Sequence, residues 1–402
     1  MKKNRVLALL LAMCMVLGMS ACGGNAEESK APESTTPETS APESTAPEAG
    51  AAFKLGSSGP LTGDAAIYGN AVMNAIKIAV DEINAADGAV KFEFQPQDDE
   101  ADGEKSVNAY NALKDWGVQV MAGTVTSGAC ITVAAKAYED RVFMLTPSGS
   151  SPDILTGKDN VFQVCFTDPN QGIASADYMS EHYADAKVAV IYRNDDAYSQ
   201  GIHDTFVSEA AAKGLEVVYE GTFTKDTATD FSVQLGAAQA AGADMMFLPM
   251  YYQPASVILS QAKAMGYAPT FFGVDGMDGI LAMPGFDTSL AEGVMLLTPF
   301  DATATDDATV AFVKEYEARY GEVPNQFAAD AYDAVYILAA ALEKAGCTPD
   351  MSAADICEAL IPVMTEISFD GLTGDAMTWS AAGEVSKAPK AVVIEDGVYV
   401  TP

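Results

Sequence analysis

RVFMLTPSGSSPDIL, residues 141–155, decides how this chain is to be read. Its first part, residues 142–145, is an unbroken apolar run of strand length, the pattern of a strand buried on both faces. The run gives way to Ser148, Gly149, Ser150 and Ser151, and a helix is expected to start at Pro152. A second run, VQVMA (118–122), ends in the same manner in GTVTSGAC (123–130), again ahead of a helix. Small hydroxyl residues between a strand end and a helix start can hold an anion without a cation, through backbone N–H and side-chain O–H groups. Here they stand in a chain whose formal net charge is −34.

Outward from this stretch the pattern repeats. NAVMNAIKIAVDEINAADG (70–88) places Val72, Ile76, Val80 and Ile83 on one helical stripe and stops at Gly88. VKFEFQPQDD (90–99) reads as a strand and GEKSVNAYNALKDWG (103–117) as a helix. After Asn170 the alternation restarts with a helix from Gly172, then KVAVIYRND (187–195), LEVVYEGTF (215–223), ADMMFLPMY (243–251) and PTFFGVDG (269–276) as strands separated by helices. Apolar strands alternating with amphipathic helices give parallel sheets covered on both faces. Two such runs predict an α/β protein of two doubly wound parallel-sheet lobes, with ligands outside the carboxyl ends of the strands.

The N-terminal residues do not belong to this pattern. Residues 1–21 carry Lys2, Lys3 and Arg5, then an apolar stretch, then small residues, which reads as a secretory signal peptide rather than a spanning helix. MSAC (19–22) resembles a bacterial lipobox, which implies cleavage before Cys22 and lipidation of that residue. Residues 22–52 read as a lipidated cysteine and a disordered tether. Pro32, Pro37, Pro42 and Pro47 recur every five residues, each followed by Glu, and between Gly23 and Gly50 no large apolar residue occurs from which a core could form. The expected location is the extracellular face of the cytoplasmic membrane, with contact to the bilayer through the lipid alone.

The acidity excludes nucleic acid as a partner. Nothing asks for a cofactor or metal: His182 and His203 are the only histidines, no CxxC pair occurs, and no GxxxxGK phosphate cradle occurs. Cys347 and Cys357 flank a turn and are open to either pairing or burial as thiols.

The residues just past the strands are Pro60–Thr62 and Tyr68, then Thr124, Thr126 and Ser127, then Ser148–Ser150, and from the second run Asp195, Asp196, Tyr198, Tyr251, Tyr252 and Asp275. Ser127 and Ser150 each precede an expected helix and suit a carboxylate. Asp275 suits a cationic group. The two poles together suit an α-amino acid, and Tyr68, Tyr198 and Tyr251 suit its side chain.

Taken in order, GPLTGDAAIYGN (59–70), YEDRVFMLTPSGSSPDIL (138–155), VIYRNDDAYSQG (190–201), MYYQPASVILSQAKAMG (250–266), FFGVDG (271–276) and NQFAADAYDAVYILAAALEKAG (325–346) resemble the leucine–isoleucine–valine-binding family, solute-binding proteins of ABC importers. The resemblance implies the type I periplasmic-binding fold with a three-segment hinge. Lobe 1 would comprise residues 53–170 plus 299–377, and lobe 2 residues 171–298 plus 378–402. It implies a monomeric, non-catalytic lipoprotein that passes a hydrophobic amino acid, branched-chain or aromatic, to permease subunits. By position, Ser127 and Ser150 would bind the ligand carboxylate, the Ser148 carbonyl and Asp275 the ammonium, and Tyr68, Tyr198 and Tyr251 the side chain. The disulfide that joins these regions in the best-known members is absent: neither Asp102 nor Thr126, nor any residue within three of them, is cysteine. Asp275 stands where Glu or Asp is usual.

Two other functions compete. A hydrolase using the acid pairs Asp98–Asp99 or Asp195–Asp196 would need a base, and both histidines read as surface helix residues away from the strand ends. A ligand-sensing receptor of the same fold would be expected to continue into a membrane helix after the last strand.

Overall fold

The computed structural model describes residues 51–400. The expected leader, Cys22 and nearly all of the tether lie outside the described residues. The first half alternates, up to β4 as read from sequence: β1 (Phe53–Gly59), α1 (Ala66–Ala85), β2 (Phe92–Asp98), α2 (Gly103–Trp116), β3 (Val120–Ala122), α3 (Ser127–Asp140) and β4 (Phe143–Thr146), followed by β5 (Val161–Gln163), which was not expected. The second continues with α4 (Asp168–His182), β6 (Lys187–Arg193), α5 (Ala197–Lys213), β7 (Glu216–Phe223), α6 (Ser232–Ala240), β8 (Met245–Leu248), α7 (Tyr252–Ala264), β9 (Thr270–Gly273) and β10 (Met295–Thr298). Helices α8 (Asp307–Tyr320), α9 (Gln326–Ala345) and α10 (Ala353–Met364) follow, then β11 (Lys390–Glu395) and β12 (Val398–Val400).

The helix ends obey local chemistry. The Asp102 carboxylate accepts from the Glu104 and Lys105 amides to start α2, and Gly117 ends it in the left-handed conformation at φ 93°. Asn325 accepts from Ala328 N to start α9, and Gly346 closes that helix.

Strands β1–β5 form one sheet in the order β2-β1-β3-β4-β5, all parallel. The remaining strands form a second, in the order β12-β11-β10-β9-β8-β6-β7. The order reverses between β1 and β3 in the first sheet and between β6 and β8 in the second, and a crevice opens at such switch points. The second sheet departs from the all-parallel expectation at one edge, where β11 pairs antiparallel with both β10 and β12.

Both sheets are buried on two faces, as the unbroken apolar runs require. In β6, Val188 and Val190 enter one buried cluster, and Ala189 and Ile191 enter the other. In β3, Met121 faces α3 and Val120 and Ala122 face the opposite layer. Each fully buried large side chain of this kind contributes about 1.5–3 kcal/mol. Helix α9 covers the first sheet beside α1, and α10 packs on β3 and β4.

The chain therefore passes between the two lobes three times: between Gln163 and Asp168, between Thr298 and Asp307, and between Met364 and Lys390. The third passage is pinned to the first. The Trp379 indole donates to the Gln163 carbonyl at 2.8 Å, and Lys387, buried, meets Asp330 at 2.7 Å. Cys130, Cys165, Cys347 and Cys357 are all free thiols, so Cys347 and Cys357 are not paired. Among the described residues no helix is long and apolar enough to cross a membrane, and no cluster of side chains could hold a metal.

Candidate functional site

Strand ends from both lobes converge on one small cavity of about 20 Å³. Its walls include Tyr68, Ser127, Ser148, Tyr198, Tyr251 and Asp275, together with Val125, Thr126, Gly276 and Phe327. Six of the seven ligand-binding residues expected from sequence thus share one cavity. Ser150, the seventh, is not among its walls; it is buried, with a hydroxyl that has no hydrogen-bond partner among the described residues.

The Ser148–Ser151 turn is held from below. Thr146 Oγ1 accepts from the Gly149 amide at 2.9 Å, and Gln163 Nε2 donates to the Gly149 carbonyl at 2.6 Å. Gly149 is required there: a Cβ would run into the Cys130 thiol and sit 2.9 Å from Ile154 Cδ1. The carbonyls of Gly149, Ser150 and Ser151 all accept protein hydrogen bonds. The Ser148 carbonyl accepts none among the described residues, which leaves one outward-facing acceptor.

Two expectations need correction. Ser127 does not precede α3 but is its first residue, and Thr126 takes the N-cap position without making a side-chain capping bond. The amides at the start of α3 are therefore uncapped by a side chain. Ser127 Oγ accepts from both the Ser150 and Ser151 amides, each at 3.2 Å, so its own O–H remains available to donate. The segment after Pro152 is a single 3-10 turn, Pro152–Ile154, capped by Ser151 rather than Ser150.

The opposite wall belongs to Asp275, 3% exposed, at the end of β9. The Tyr198 hydroxyl donates to Asp275 Oδ1 at 2.5 Å and accepts from the Gly276 amide at 2.8 Å. Gln171 Oε1 accepts from the Asp275 amide at 3.1 Å, and Gln326 Nε2 donates to its carbonyl at 3.2 Å. Burial pushes the Asp275 acid up to about 7, against the pull of the Tyr198 hydroxyl.

The tyrosines form a cage. Tyr198 stacks on Tyr251 at 4.9 Å, and Tyr68 meets Tyr251 edge-on at 5.4 Å and Phe327 at 4.6 Å. Tyr68, on the first lobe, donates to the Gly276 carbonyl and accepts from the Tyr252 amide, both on the second. The lobes touch directly across the cavity.

Sequence reasoning missed two residues here. Phe327 comes from α9, far along the chain. Asp168 is fully buried beside Ser150, with neither carboxylate oxygen hydrogen-bonded. Burial, with the charge of Asp275 adding to it, pushes the Asp168 acid well above the carboxylate range. Its signal was present: Thr167 caps a helix whose first residue is Asp168, four residues earlier than the sequence reading began it.

The histidines divide. His182 is exposed. His203 was expected on the surface but is buried, its ring nitrogens 2.8 Å from both Asp204 and Glu220 and its face stacked on Tyr192 at 3.6 Å. The alternation had hidden that α5 turns this face toward β6 and β7.

Known proteins resemble this chain over nearly all its described length. Residues 52–397 match the family model described as periplasmic binding protein. The Leu/Ile/Val-binding protein BraC3 of Rhizobium johnstonii is 30% identical over 355 residues, 86% of this chain and 95% of that one. The leucine-, isoleucine-, valine-, threonine- and alanine-binding protein of Pseudomonas aeruginosa is 29% identical, covering 74% and 80%. Among solved structures, the branched-chain amino acid transporter substrate-binding protein LivJ of Streptococcus pneumoniae, in complex with isoleucine, superposes with a TM-score of 0.77 at 28% identity, covering 87% and 100%.

Proposed function

Because the chain belongs to the periplasmic binding protein family, we propose that its interlobe cavity captures an α-amino acid for delivery to an ABC importer. The observation that carries this reading is the pair of opposed poles. Asp275 and the partner-free Ser148 carbonyl offer acceptors to an ammonium; the Ser127 hydroxyl and the amides that open α3 offer donors to a carboxylate. The tyrosine cage flanks the side chain. The relatives' names, and the isoleucine bound to the pneumococcal protein, support the same class of ligand.

An amino acid is several times larger than the cavity, which is about the size of one water. Entry therefore requires the lobes to part about the three passages, and capture is their return. The lobe limits that go with this motion are 53–170 plus 299–377 and 171–298 plus the C-terminal segment from 378. The protein performs no catalysis in this reading; both nitrogens of its one buried histidine are engaged by carboxylates. Signal peptide, lipidation at Cys22, tether and permease partners belong to the same proposal and place the protein on the extracellular face of the membrane.

Calorimetry against the proteinogenic amino acids tests it. Asp275→Ala leaves a buried ammonium unpaired, at a cost of about 3–5 kcal/mol, or roughly a hundredfold or more in affinity. Binding must also weaken as pH falls below about 7, because the ammonium selects the ionised form of Asp275. Unchanged affinity in the variant sinks the assignment of poles.

A further inference from the structure

A second chamber of about 240 Å³ adjoins the tyrosine cage, and Thr126 and Tyr251 line both. At this junction the buried hydroxyl of Thr126 has no hydrogen-bond partner among the described residues. A buried hydroxyl in that condition calls for a polar guest. Beyond it stand Arg193 and Lys225, with Phe223 and Met250 supplying apolar wall. Arg193 engages only its Nε, with Asp195 at 2.6 Å, and its two terminal nitrogens have no partner among the described residues. Lys225 has no carboxylate within ion-pair distance among the described residues.

Three carboxylates share the wall. Asp196 caps α5 through Ser199 N at 3.2 Å, Glu100 pairs with Lys105 at 2.5 Å, and Asp64 has no ion-pair partner among the described residues. Two of the three already have partners, whereas the two terminal nitrogens of Arg193 and the Lys225 ammonium have none among the described residues. The chamber thus joins an apolar corridor to unengaged N–H donors.

We propose that the ligand is an amino acid whose side chain runs past Tyr251 and Thr126 into this chamber and ends in a hydrogen-bond acceptor, a carboxylate or amide, held by Arg193 and Lys225. This rests on the head-group assignment made above. Phe223, Met250 and Tyr251 pack on the stem; the guanidinium recognises the tip, for which its planar fork is suited.

Titration of the full chain with leucine, phenylalanine, glutamine and glutamate decides the matter. Glutamine or glutamate should bind at least tenfold more tightly than leucine. Arg193→Ala should lower that ratio by tenfold or more, and Lys225→Ala, at an exposed position, should lower it in the same direction with no risk to folding. The proposal is overturned if leucine or phenylalanine binds at least as tightly as both acceptor-tipped ligands, or if the ratio survives both substitutions. If instead no amino acid binds, or binding persists in Asp275→Ala, the head-group assignment fails as well, and the two failures are told apart by that variant.

Discussion

Asp275 shows how much one neighbour sets the chemistry of a buried acid. Its burial raises the pKa to about 7, and the Tyr198 hydroxyl is the strongest of the groups that hold it down. Removing that donor with Tyr198→Phe should move the pH midpoint of amino-acid affinity upward by about one unit. A pH series by calorimetry checks it, and an unmoved midpoint would mean that the hydroxyl does not report on the acid. Asp275 and the tyrosines were legible in sequence because a strand end in this fold announces itself by a short apolar run that stops. Phe327 was not, since nothing in the period of α9 distinguishes a residue facing the cage from one facing the core. Asp168 was hidden by its position: Thr-Asp-Pro is an ordinary helix start, and burial is a property of what arrives from elsewhere in the chain.

The Ser148–Ser151 turn contributes the Ser148 carbonyl to the acceptor pole and holds the Ser127 hydroxyl through its amides, and its shape depends on Gly149. Gly149→Ala would press a methyl group into Cys130 and Ile154. The expected loss is about 1–3 kcal/mol of stability, with a weakened affinity because the Ser148 carbonyl is displaced. Denaturant unfolding and a single titration measure both, and wild-type values in each would remove the turn from the site. The sequence reading found the strands of this region where they are long or strongly apolar. It named no strand at β5 or β10, of three and four residues, because neither sits in the strand-then-helix alternation that marked equally short strands such as β3 and β4. It extended a helix from Pro152 where only one 3-10 turn forms, since a cap and a proline mark a beginning but not a length. It also took every strand as parallel, whereas the β11–β12 edge is set by a tight return that only the fold as a whole requires.

Several carboxylates lie inside the protein rather than on its acidic surface, and this gives its stability an unusual slope. Burial raises Asp99 and Asp333 to about 6 and Asp275 to about 7. Each has a folded-state pKa above its unfolded value, so each favours the native state in acid, and that contribution is lost as pH rises from about 4 through 7. The melting temperature without ligand should therefore fall by a few degrees between about pH 5 and pH 7.5. The self-repulsion of a chain with net charge −34 acts in the same direction. A flat or rising profile in differential scanning calorimetry would contradict the burial of these acids.

The return of the chain to the first sheet has one more consequence. Helix α9 covers that sheet beside α1, with the Tyr332 and Tyr336 hydroxyls donating to Glu82 at 2.5 and 2.8 Å and Arg319 reaching Asp81 at 2.6 Å. The second sheet in turn waits for β11, later still. During synthesis the first sheet stays uncovered on one face until α9 has emerged, and the second lacks an edge strand until β11 has, because such distant contacts form only once their partners exist.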